Sequence, residues 1–323
     1  MNVEYLACGN IMSDRIENED STHSDWHMGG PAFFALTGIR LWTKSCKLVC
    51  QTGEDYADTY GAWMDVHGVS RESVRVEMEH TTRFTLKYEP DGNGRFIPKP
   101  HFTQEHLGYL KTHPEEIEAA CAPGIKGMYM AQNTDRVFWE KLEKIKAKYG
   151  FKIMWEVEYG GLAMTRGFSR ADFLERIRRV LTVADMWSIN HNEASDLFGI
   201  DRADDEAIIG RLQQLPTALT FYRVGDRGAY AVTPTNAYFC ESLDLFGPSV
   251  DPTGCGNNST GAAMYAAVSG EHPAMVAVMA NISAGFNAAQ HGPYRLYTQE
   301  SMDHARALAA EYFARMKKEH KIE

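Results

Sequence analysis

Short apolar runs alternate along the chain with longer segments whose apolar residues recur every three or four positions. The runs at 3–8, 47–51, 127–131, 152–157, 186–189, 218–222 and 228–233 predict strands. The segments at 32–39, 57–67, 135–149, 170–183, 254–268, 273–289 and 299–317 predict helices, and Gly68 is suited to end the second of them. In the first helix Ala32, Phe33, Leu36 and Ile39 form one stripe; in the last, Met302, Ala305, Leu308, Ala309, Tyr312 and Phe313 hold one face. Alternation of strand and helix implies an α/β protein with a mostly parallel sheet covered on both sides.

Two stretches break this rhythm. Residues 13–26 are polar and irregular. Residues 81–88 and 95–98 flank Asp91-Gly92-Asn93-Gly94, a favourable hairpin turn, with Thr82, Phe84, Leu86 and Tyr88 on one side. They predict a small β appendage (11–27 and 79–104) on a core formed by 1–10, 28–78 and 105–323.

Composition changes this picture little. The chain has 323 residues, 44% hydrophobic and 24% charged, ordinary for a globular protein. A net charge of -10, with no basic cluster beyond Lys317, Lys318 and Lys321 at a helix end, argues against a nucleic-acid partner. No Cys-x-x-Cys pair or zinc spacing occurs among the six cysteines, so they are expected to be reduced and buried. No basic-then-apolar leader opens the sequence, and no run approaches the ~18 apolar residues of a membrane span. A soluble cytoplasmic protein is expected.

The strongest chemical signal is Val250-Asp251-Pro252-Thr253-Gly254-Cys255-Gly256-Asn257, leading into a predicted helix. Glycines let backbone approach a ligand, and the N–H groups and dipole of a helix start attract negative charge. Such a cradle suits a phosphoryl group in flight. The bland alternative is a turn capped by Asn257 or Asn258. A Walker loop is excluded, because no Gly-Lys-Ser/Thr follows. Other candidates are Asp14, whose carboxylate could accept hydrogen bonds from vicinal hydroxyls, and Gly29-Gly30 at a helix start. Asn190 and Glu193 could order magnesium or merely cap a helix.

The 250–257 segment resembles the C-terminal signature of the ribokinase (PfkB-type) family of carbohydrate kinases, usually Asp-Thr-Thr-Gly-Ala-Gly-Asp. In matching order, Gly9 to Asp14 resembles the first strand with its substrate-binding aspartate. Gly29-Gly30-Pro31-Ala32 resembles the Gly-Gly signature, and Gly53-Glu54-Asp55 follows the second strand. Asn190-His191-Asn192-Glu193 resembles the Asn-x-x-Glu motif, and Gly225-Asp226-Arg227-Gly228 the nucleotide turn. The resemblance implies a three-layer α/β/α fold with a small β-sheet lid that often pairs subunits into a homodimer. It also implies ATP and Mg2+ as cofactors, with a monovalent cation in some members, and a carbohydrate-like substrate. Carried onto this chain, it places substrate at Asp14, Gly29, Gly30, Phe34 and Glu156, and nucleotide at Asn190, Arg223, Gly225, Gly228 and Asn281. Metal falls at Glu193 and Asp251, and the reacting phosphoryl at Gly254, Cys255, Gly256 and Asn257.

Three residues depart from the family pattern. Asn257 stands where the family has its catalytic aspartate, and an amide is a very poor base. The change leaves open a slow kinase, a kinase with a relocated base, a ligand-binding relative or an introduced Asp→Asn substitution. His291 is one conceivable substitute base. Phe34 replaces a sugar-binding asparagine, which points away from ribose or fructose and towards a polyol or nucleoside. Arg223 replaces a threonine of the nucleotide turn and could pair with a phosphate. Arg83, on the appendage, reads as an exposed strand residue more readily than as a substrate contact. The leading expectation is an ATP-dependent kinase of a sugar, polyol or nucleoside; the alternative is a catalytically silent binding relative. A dinucleotide oxidoreductase is disfavoured, since Gly9 stands alone after the first strand.

Overall fold

In a computed structural model, described over residues 3–17, 20–88, 94–98, 112–157 and 168–320, strands and helices alternate as the apolar pattern requires. The chain runs β1 (Tyr5–Asn10), β2 (Met12–Glu17), β3 (His27–Gly29), α1 (Pro31–Arg40), β4 (Cys46–Gly53), α2 (Tyr56–His67), β5 (Val74–Met78), β6 (Arg83–Tyr88) and β7 (Gly94–Pro98). It continues α3 (Pro114–Ala120), β8 (Gly127–Ala131), α4 (Arg136–Tyr149), β9 (Lys152–Glu156), α5 (Arg170–Val180), β10 (Met186–Asn190), α6 (His191–Phe198) and α7 (Asp205–Leu212). Then follow β11 (Leu219–Arg223), β12 (Gly228–Val232), β13 (Ala237–Glu241), α8 (Cys255–Val268), α9 (Pro273–Ala288) and α10 (Gln299–His320).

Nine strands form one sheet in the order β13-β12-β11-β10-β9-β8-β1-β4-β5. Pairing is parallel from β11 to β5; β12 and β13 add antiparallel steps at one edge. Successive residues of a strand face opposite sides, and β1 shows the consequence. Tyr5 and Ala7 enter the apolar layer shared with α1, α2, α8, α9 and α10. Leu6 and Cys8 enter the layer shared with α3 to α7. The fold is therefore three-layered α/β/α. Several ends are set by local chemistry: Asp135 accepts from the Phe138 N–H to start α4, and Gly68 takes the left-handed conformation that ends α2.

The order reverses beside β1: the chain moves from it to β4 and β5 on one side, then returns to β8, β9, β10 and β11 on the other. Ligands of open α/β sheets bind at such a point, outside the carboxyl ends of the strands. Glu156, Asn190 and Arg223 are the last residues of β9, β10 and β11.

A second sheet has the order β3-β2-β6-β7. It corrects the reading of 13–26 as irregular, because Met12–Glu17 is a strand paired with β3 and β6. Strand β3 brings His27, Met28 and Gly29 to the edge of this sheet. β7 pairs antiparallel with β6; residues 91–93 of the expected turn, and 99–104, lie outside the described residues. Helix α5 stops at Val180, three residues before the expected end. All six cysteines are unpaired, four of them buried. Among the described residues no helix is long and apolar enough to cross a membrane.

Candidate active site

The Gly-Gly pair builds a niche for Asp14. A Cβ on Gly29 would lie 1.9 Å from Asp14 Oδ2, and one on Gly30 would meet the backbone of residues 10–12 at 2.7–2.9 Å. Gly30 also has φ 89°, a conformation that favours glycine, and its N–H donates to the Asp14 carboxylate. Tyr60 ties the niche together: its hydroxyl meets both the N–H and the carbonyl of Gly29, and donates to the Met12 carbonyl. Asp14 is 5% exposed, and its Oδ1 has no hydrogen-bond partner. Burial, and then the nearby Asp251 carboxylate, push its carboxyl well above the usual range.

Asp14 opens into a crevice lined also by Phe34, Asp251 and Thr253, with room for about 10 Å³. Through His27, Met28 and Gly292 this crevice adjoins a cleft of about 570 Å³ between β3, α2 and the 291–295 loop. The aspartate and the Gly-rich loop thus share one cavity wall.

Helix α8 begins at Cys255 with Gly254 as its cap, at φ 77° and with no side-chain capping bond. Capping by Asn257 or Asn258 is thereby ruled out. The Cys255 N–H turns back to the Pro252 carbonyl, while Gly256 and Asn257 stand too early in the helix to find a carbonyl four residues back within it. The cradle is not bare, however. The Phe34 ring lies where a Cβ on Gly254 would come within 2.3 Å, and Arg223 Nη1 lies 2.1 Å from the place of a Cβ on Gly256. The close approach that glycine permits is used here by the protein's own side chains.

Arg223 ends β11 but does not point along the 225–228 turn. Its Nη2 is 2.8 Å from Glu156 Oε1 and 4.0 Å from Glu193 Oε2. Glu156, 4% exposed, also accepts from the Tyr129 hydroxyl and, at 3.0 Å, from Asn257 Nδ2. Burial, followed by the adjacent Glu156 charge, pushes the Tyr129 phenol up, so it remains a donor. The structure therefore joins Asn257, Glu156, Arg223 and Tyr129 in one polar cluster at the start of α8. Tyr129 was missed in the sequence because it sits in an apolar strand run that reads as core.

Asn190 and Glu193 form a reciprocal capping box: Asn190 Oδ1 accepts from the Glu193 N–H, and Glu193 Oε2 from the Asn190 N–H, both at 2.9 Å. Gly225 packs against His191, and Gly228 against the Cys240 carbonyl. Asn281 spends its amide on the Ala277 and Cys240 carbonyls, which ties α9 to β13. At Asp251 one carboxylate oxygen accepts from the Thr253 N–H at 2.9 Å and the other meets His291 Nδ1 at 3.1 Å. His291 in turn stacks on His27. Burial pushes the Cys255 thiol up to about 12, so it is no nucleophile. Arg83 pairs with Asp55 at 3.1 Å. Asn287, also missed, is fully buried and donates to the Thr253 carbonyl, anchoring the Gly-rich loop on α9. A buried asparagine on an apolar helix face was the available signal.

The three-layer α/β/α fold thus sets a buried aspartate beside the loop that leads into a helix capped by Gly254. Residues 6–299 match the model of the pfkB family carbohydrate kinases. The chain belongs to that family. Its structure is similar to that of a Burkholderia thailandensis nucleoside kinase in complex with inosine, at 20% identity and TM-score 0.68, covering 97% of this chain and 96% of the other. It is similar to an adenosine kinase from Sinorhizobium meliloti, at 17% identity and TM-score 0.71, covering 95% and 100%. It is also similar to a putative Ribokinase II from E. coli in complex with ATP and Mg2+, at 16% identity and TM-score 0.72, covering 96% and 99%. No curated protein matches the chain in sequence.

Proposed function

We propose that this chain transfers a phosphoryl group from ATP to a hydroxyl of a sugar, polyol or nucleoside. The observation that carries this reading is the unpartnered, buried oxygen of Asp14 in a crevice shared with the loop that leads into α8. Asp14 accepts hydrogen bonds from the acceptor's hydroxyls. The first turn of α8 and Arg223 meet the charge of the transferring phosphoryl. Residues 225–228 approach the nucleotide, and the second sheet closes over the acceptor and excludes water. A homodimer through that sheet belongs to the same reading.

Magnesium prefers oxygen ligands and keeps waters and substrate phosphates in its shell. Among the described residues no three His, Cys, Asp or Glu side chains cluster to hold a metal by themselves, which suits an ion that arrives with the nucleotide. Glu193 is the carboxylate assigned to it. When bound, the ion neutralises phosphate charge.

The test is transfer from radiolabelled ATP across a panel of sugars, inositols and nucleosides, with Asp14→Ala as control. Transfer that needs Asp14 is expected; absence of transfer to every acceptor overturns the reading. A second reading, a binding protein without turnover, is favoured by Phe34 and Arg223 lying on the glycines of the cradle. Calorimetric binding of an acceptor, with no product formed, distinguishes it.

A further inference from the structure

We propose that the carboxylate absent from position 257 is supplied by Glu156, which takes the proton of the attacking hydroxyl. This rests on the kinase reading above and assigns that site its base. Asn257 Nδ2 and Glu156 Oε2 lie 3.0 Å apart, so amide and acid are separated by a single hydrogen bond. Exchanging them would move the carboxylate only across that bond.

The pairing also gives Asn257 a reason. Glu156 is 4% exposed. An aspartate at 257 would set a second carboxylate at hydrogen-bond distance from it, and like charges so close do not both ionise readily. Asparagine offers a donor instead, and with Tyr129 and Arg223 it holds the Glu156 carboxylate in one orientation.

Arg223 occupies one Glu156 oxygen and also reaches the start of α8. Its Nη1 covers Gly256 in the first turn of α8, where the phosphoryl group would bind. An anion there competes with Glu156 for the guanidinium and withdraws its counter-charge. One Glu156 oxygen is thereby freed from the guanidinium to receive the proton of the attacking hydroxyl. The acceptor oxygen then forms its bond to phosphorus, the bond from phosphorus to the ADP oxygen breaks, and the hydroxyl proton passes to Glu156 and afterwards to water. The groups facing Glu156 are Tyr129, Arg223 and Asn257, with Glu193 beyond the guanidinium.

The experiment compares ATP-driven transfer by the wild type, Glu156→Gln, Asn257→Asp and the exchanged pair E156Q/N257D, with the best acceptor of the panel. E156Q is expected to lose about 10²–10⁴-fold in kcat, the usual worth of a general base, with KM for the acceptor little changed. The exchanged pair keeps one acid, one amide and the bond between them, so it is expected to regain most of the loss and to fold where a single variant fails. N257D alone is expected to be no faster than the wild type. If E156Q turns over like the wild type, or the exchanged pair stays as slow as E156Q, the assignment is overturned and the kinase reading stands. If His291→Gln abolishes turnover while E156Q does not, the base is the imidazole. No transfer by any of the proteins overturns both readings.

Discussion

The carboxylate of Asp14 rests directly against Gly29, with no space for a methyl group between them: a Cβ there would lie 1.9 Å from Oδ2. Gly29→Ala must therefore displace Asp14 or the strand that carries it. Overpacking of this kind costs ~1–3 kcal/mol. The expected result is a lower urea midpoint together with lost acceptor binding. Wild-type acceptor affinity in the variant would mean that Asp14 does not contact the acceptor.

Asp14 also makes stability depend on pH. Burial and Asp251 raise its carboxyl above the ordinary aspartate range, against the Gly30 N–H that lowers it. The folded state then holds the proton more tightly than the unfolded chain. Its stabilisation is complete below the unfolded value, about 3.9, and is lost as pH rises through the folded one. Asp14→Asn removes that cost. The variant is expected to gain ~0.5–2 kcal/mol at neutral pH, the usual size of a single stabilising replacement, while losing acceptor binding. Melting curves at several pH values check this; parallel curves for the two proteins would contradict it.

The sequence made the main sheet legible because its inner strands are buried on both faces and read as unbroken apolar runs; β8, at Gly127–Ala131, was bounded correctly at both ends. Edge strands were lost for the same physical reason. β5 is largely exposed, so Val74–Met78 alternates with charge and looks like a loop. β2 is polar because it carries Asp14 and belongs to a small second sheet. In the site, the glycines were legible as places of close approach, but not what approaches. Phe34 is far from Gly254 along the chain, and Arg223 is well separated from Gly256; no local spacing reports which side chain fills a gap. The Glu156–Asn257 contact, across 101 positions, was hidden likewise.

Phe34 closes the crevice beside Asp14. It is 2% exposed and lies against Gly254. Phe34→Ala is expected to cost ~3–5 kcal/mol, the usual penalty for removing a buried aromatic ring, and to widen the acceptor site. Urea unfolding measures the cost. Calorimetry with the acceptor panel should show bulkier acceptors gaining relative to small ones; an unchanged order of affinities would put Phe34 outside the acceptor site.

Arg223 and Glu156 form an ion pair with side chains only 14% and 5% exposed. Solvent screens such a pair little, so each partner depends on the other. Arg223→Met leaves Glu156 buried without its counter-charge, and breaking a buried pair in this way costs ~3–5 kcal/mol. Replacing both, as R223M/E156Q, removes the charge that needed compensation, and the amide can still accept from Tyr129 and Asn257. The double variant is therefore expected to be more stable than R223M alone. A double-mutant cycle in urea reads the coupling directly: a value above ~0.5 kcal/mol, the usual limit for independent sites, is expected. Simple additivity would mean that the guanidinium and the carboxylate are already separated in solution, and that Arg223 is free to meet an anion without leaving Glu156.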